Sequence, residues 1–111
     1  MSDKLVVIIS SGEPGVARTG MLYALNALKH CWMSEVKLIF FGPAQELLTR
    51  DAEMQRLLGE YQAQDETAAA CKFIADRDQT GESTGALGVE VVYVGSLISG
   101  LIQEGYVPLV W

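Results

Sequence analysis

Cys71 is the residue of this sequence most suited to chemistry. It closes the run Thr67-Ala68-Ala69-Ala70-Cys71 and precedes Lys72 and Phe73-Ile74, where a short helical pattern begins. A thiol at the start of a helix feels the positive end of the helix dipole, and the Lys72 ammonium adds to that field. Both favour the thiolate, the nucleophilic form of cysteine. The competing reading is a packed, inert thiol, since free cysteine behaves as a small hydrophobe. Cys31, the second cysteine, ends the first helical pattern beside His30, the sole histidine; it is read as a packing residue. A strand of five residues spans about 17 Å. The two thiols therefore belong to opposite edges of a sheet, farther apart than the roughly 7 Å a disulfide tolerates between Cα atoms. One histidine and no Cys/His cluster give no basis for a zinc site or a Cys–His catalytic pair. No metal and no cofactor is expected.

The other candidates follow the strands. Ser10-Ser11-Gly12-Glu13-Pro14-Gly15 follows the first, Gly42-Pro43 the second, Cys71-Lys72 the third and Gly95-Ser96 the fourth. In an open α/β sheet ligands bind outside the carboxyl ends of the strands. Ser11, Gly12, Lys72, Gly95 and Ser96 are thus the candidate substrate-binding residues around Cys71. A phosphate loop would need a second glycine and a lysine where Ala17-Arg18-Thr19 stand, so Gly12–Thr19 does not match that motif. The simpler reading is a turn into a helix, although a helix N-terminus attracts anions without any motif. Glu13 reads as a solvated loop carboxylate within reach of this rim.

These positions need a scaffold, and the apolar pattern supplies one. Lys4–Ser10, Val36–Phe41, Val89–Val94 and Tyr106–Val110 carry continuous apolar runs, as strands covered on both faces do. Thr67–Cys71 is the fifth candidate strand, although its three alanines favour helix. Helical spacing covers Gly15–Cys31, Ala44–Gln64 and Ser96–Glu104, with Asp51 placed to cap a second start inside the middle one. Gly81, Gly85 and Gly88 break the stretch before Val89 into a loop or a short turn of helix. Strands alternating with helices predict a three-layer α/β/α sandwich around a mainly parallel five-stranded sheet, a single domain over residues 1–111.

Composition bounds the function. The chain has 111 residues, half of them hydrophobic and 20% charged, with a formal net charge of −6. That charge argues against a general nucleic-acid binder. No apolar run approaches the roughly 20 residues of a membrane-spanning helix. Met1-Ser2-Asp3-Lys4 leads directly into the first strand without the pattern of a secretory signal. A cytoplasmic protein with reduced thiols is expected.

The residues as a set resemble the DsrE/DsrF-like family, which includes sulfur-relay subunits of the TusD type. The likeness spans essentially the whole chain. It rests on Leu5-Val6-Val7-Ile8-Ile9-Ser10-Ser11-Gly12, on Leu38-Ile39-Phe40-Phe41-Gly42, on Ala70-Cys71-Lys72-Phe73-Ile74-Ala75-Asp76 and on the tail from Gly88 to Trp111. The resemblance implies that Thr67–Cys71 is a strand. It implies homo-oligomers, trimers or hexamers, or mixed assemblies with related subunits. It also implies that Cys71 accepts sulfur as a persulfide from a donor protein and passes it to an acceptor. The alternatives are a non-catalytic module for a small anion or nucleotide, and a structural subunit of a DsrE-like assembly.

Overall fold

Lys4–Ile9 (β1) is apolar from Leu5 onward and is buried on both sides, so it must lie inside a sheet covered on two faces. In a computed structural model, which describes residues 2–111, it does. Pro14–Lys29 (α1) leads to Glu35–Phe40 (β2), and Ala44–Leu48 (α2) and Ala52–Gln62 (α3) to Ala69–Cys71 (β3). Lys72–Asp78 (α4) and Gly81–Ala86 (α5) then lead to Glu90–Val92 (β4), and Val94–Gln103 (α6) to Val107–Val110 (β5). The five strands form one parallel sheet in the order β4-β3-β2-β1-β5.

The order explains how the two faces are filled. From β1 to β4 the chain steps one way across the sheet, and right-handed crossovers place the intervening helices on one face. The residues Met21, Leu25, Leu48, Met54, Leu58 and Tyr61 of α1, α2 and α3 accordingly pack on Leu5, Val7, Ile9, Leu38 and Phe40. From β4 to β5 the chain reverses direction, which sends α6 to the opposite face. There Val94 and Leu101 meet Val6, Ile8, Ile39, Ala69 and Cys71, joined by Ile74 and Tyr106. One helix running along the strands is about 10 Å wide, whereas five strands span roughly 20 Å across. The second face is therefore only partly covered.

Individual expectations fare differently. Asp51 is the cap between α2 and α3: its carboxylate accepts the Met54 N–H at 2.9 Å, and Arg18 donates to it at 2.6 Å. The alanines of β3 are strand after all. They are buried between β2 and β4, where small side chains let the layers approach. The run at β5 is not covered on both faces, as its continuity suggests; all four residues are exposed, because β5 is an edge strand. Trp111 N–H donates to the Ile8 carbonyl at 2.8 Å, and the Trp111 carbonyl accepts from Ser10 at 2.7 Å. By strand alternation, Val107 and Leu109 also turn their peptide groups to β1. Pro108 and Val110 turn theirs outward. The Trp111 side chain packs on Gly20, where any Cβ would fall 2.5 Å from the indole.

Cys31 is the other correction. It is exposed rather than packed, and its φ of 55° places it in the left-handed turn that ends α1. His30 and Trp32 flank it with ring centroids 5.5 Å apart. Among the described residues no helix is long and apolar enough to cross a membrane.

Candidate functional site

The chain leaves β3 toward α4 and α5, which lead back to the face of α3, as the bond from Gln62 to the Leu87 carbonyl shows. It leaves β4 toward α6, on the opposite face. In such sheets the usual ligand position lies outside the carboxyl ends of neighbouring strands whose crossovers take opposite faces. Cys71 stands at the carboxyl end of β3, in register with Val92 of β4. It is the residue before α4, its backbone is extended (φ −70°, ψ 120°), and its thiol makes no capping hydrogen bond. The side chain points to the partly covered face, among Ile74, Val94 and Leu101, and the residue is only 6% exposed.

Its surroundings divide into braces and an open rim. The brace is Gln45, a fully buried amide on α2. Its side-chain carbonyl accepts the Gly42 N–H at 3.1 Å, and its amide donates to the Cys71 carbonyl at 3.0 Å. One side chain thereby ties the turn after β2 to the end of β3. The rim holds two large aromatics, Phe73 and Tyr93, 64% and 62% exposed. They directly follow the ends of β3 and β4. Lys72 pairs with Asp76 at 3.0 Å, and this bond raises the lysine pKa, so the ammonium stays charged. On the same short helix, Arg77 is held by Asp78, whose hydrogen bond raises its pKa.

The structure splits the candidate set in two. Gly95 and Ser96 lie in the first turn of α6, which starts two residues before the expected Ser96; they follow β4, the strand that pairs with β3 of Cys71. The Ser96 hydroxyl is turned to the Tyr93 carbonyl at 3.4 Å. Ser11 and Gly12 follow β1, two strands from β3 and so about 10 Å away. Their groups are engaged locally. The Ser11 hydroxyl accepts the Glu13 N–H, and Ser10 and Ser11 N–H both donate to the Trp111 carbonyl. Glu13 is not a free loop carboxylate but the cap of α1, accepting from Val16 N–H at 2.8 Å. A phosphate at this helix start would meet a carboxylate already in place.

Gln45, Phe73 and Tyr93 are the site residues that sequence reasoning did not single out. A polar amide at the start of a short apolar helix was the available signal for Gln45. An aromatic directly after a strand end was the signal for the other two. Among the described residues no three His, Cys, Asp or Glu side chains converge as a metal-binding group.

No family model matches the chain, and no curated protein matches it. Among solved structures it is similar to a conserved protein of unknown function from Bacteroides thetaiotaomicron. The TM-score is 0.88 and the identity 23%, over 98% of this chain and 95% of that one. The likeness establishes a shared fold along the whole chain.

Proposed function

We propose that this protein is a sulfur-relay subunit of the DsrE/DsrF-like kind, carrying persulfide sulfur on Cys71. The observation that supports this most is the position of Cys71: a thiol without a hydrogen-bond partner at the carboxyl end of β3, before the first turn of α4. The Cys71 thiolate attacks the outer sulfur of a donor persulfide. A new S–S bond forms at Sγ, the donor's S–S bond breaks, and the donor leaves as a thiolate. An acceptor thiolate then attacks the outer sulfur of the Cys71 persulfide, and Sγ departs as the thiolate it was. No net oxidant is needed. Cys71 immediately precedes α4, and the positive end of a helix dipole favours a thiolate at such a position.

The burial of Cys71 sets the terms of exchange. A thiol that is 6% exposed under Ile74, Val94 and Leu101 reacts with a group that a docked partner delivers past that cover, not with bulk solutes. The exposed Phe73 and Tyr93 suit the docking of a protein donor or acceptor, since aromatics are enriched where proteins meet. The exposed apolar residues Ile102 and Val110 support self-association, in keeping with the trimers or hexamers of the family resembled.

Burial also favours a second reading, in which Cys71 only packs and the chain is a binding or assembly subunit. Peptide-resolved mass spectrometry after incubation with a persulfide donor separates the two. Gain of one sulfur on the Cys71 peptide, abolished by Cys71→Ser and kept by Cys31→Ser, supports relay. Loading confined to the exposed Cys31, or absent with both thiols reduced, removes it in favour of the second.

A further inference from the structure

We infer that the partly covered face of the sheet holds a binding cleft for a small monocarboxylate with an apolar tail. This rests on the geometry under α6 and is independent of the chemistry assigned to Cys71. The cleft has a volume of about 170 Å³ and lies between α6 and the middle of the sheet. Its floor is Ile39 and Ala69, its wall Leu97 and Leu101, and its polar ends are Lys37 and Glu90. That volume compares with the roughly 150 Å³ of an apolar cavity that admits benzene in another protein.

Lys37 is the feature that calls for an anion. It sits on β2, the central strand, in register with the fully buried Val6 and beside the aliphatic Ile8, Ile39 and Ala69; Glu35, two residues before it on the same face, is already engaged by Lys4 and Tyr106. It is half-buried. The chain has eight Lys and Arg residues. Among the described residues the other seven each form an ion pair, and Lys37 forms none. A cation held over an apolar floor without a counter-charge gains most from an anionic group brought in by a ligand. One ammonium matches one carboxylate. The net charge of −6 and the exposed Glu90 at the rim disfavour a ligand with several negative charges. The aliphatic wall takes a tail of about five or six carbons, the size the volume allows.

The test is titration of the full chain with hexanoate, followed by amide NMR, with hexanol as the neutral control. Hexanoate is expected to saturate with a Kd of about a millimolar and to shift the resonances of Lys37, Thr67 and Leu97. Lys37→Met places an apolar chain on an apolar face and should fold; it is expected to weaken hexanoate by about tenfold or more and to leave hexanol unchanged. Glu90→Gln, on an exposed edge residue, is expected to tighten hexanoate about twofold by removing repulsion near 10 Å. Absence of saturation at about 20 mM, equal affinity in Lys37→Met, or no tightening in Glu90→Gln overturns the proposal. So does movement of the same resonances on dilution of the protein alone, which would make the cleft a contact between copies.

Discussion

The two faces of the sheet differ in kind. On one, α1 and α3 lie against β1 and β2 and bury Phe40, Leu48, Met54 and Tyr61 almost completely. On the other, α6 is the main cover, helped by Ile74 of α4, and Leu97, Ile102 and Val110 remain exposed. The direction of chain travel across the sheet produces the asymmetry, since three of the four connections run one way. The well-covered face supplies the rigidity, and the thinly covered one holds the buried Cys71 thiol, an unpaired cation and a cleft.

The contrast can be broken by substitution. Phe40→Ala opens a cavity on the packed face and is expected to cost about 3–5 kcal/mol in chemical denaturation. A loss below about 1 kcal/mol would mean that this face does not dominate stability. Gln45→Leu comes next. It strands the Gly42 N–H and the Cys71 carbonyl, both buried, at about 2–4 kcal/mol. If Cys71 carries sulfur, the variant should also lose loading at temperatures where it remains folded.

Asp51→Asn sharpens the contrast through pH. The hydrogen bond from Arg18 and that from Met54 N–H hold the Asp51 carboxyl below its usual range against the cost of burial. A depressed carboxyl contributes stability that is present above its unfolded pKa of about 4 and lost as pH falls through the folded value. Wild type should therefore lose stability between about pH 5 and 2, and the variant less over that window. At neutral pH Asn still caps α3, and the loss is that of the charge on the pair with the half-exposed Arg18, about 1 kcal/mol or less. Leu97→Ala on the thinly covered face is expected to cost least, below about 1 kcal/mol. Equal losses for Leu97→Ala and Phe40→Ala would erase the distinction.

The sequence showed the scaffold where local and global signals agree. Leu5–Ile9 and Leu38–Phe41 read as interior strands because only a sheet covered on both faces accepts such runs. Asp51 was visible as a cap because its side chain acts within three residues. Signals that depend on distant neighbours were hidden. The alanines Ala69 and Ala70 favour helix locally and become strand through pairing with Ile39, Phe40, Glu90 and Val91. The tail from Val107 reads as covered because an apolar run does not disclose that it will lie at an edge. At the site, Cys71 was legible by type and by its place at a strand end. Its burial was not, because Val94 and Leu101, which cover it, lie more than twenty residues away in sequence. The separation of Ser11 and Gly12 from Cys71 follows from strand order, which periodicity does not encode.

Pro108 has a consequence for behaviour in concentrated solution. A flat apolar edge is ordinarily a template on which a second chain can lay a strand. Here the outward peptide positions of β5 are Pro108, which has no N–H, and Val110, so a passing chain finds a single donor along the edge. The opposite edge is only three residues long and begins with the charged Glu90. Neither border of the sheet can seed fibrous growth by backbone pairing, so the exposed valines of β5 can stay greasy without turning the protein into a building block for amyloid.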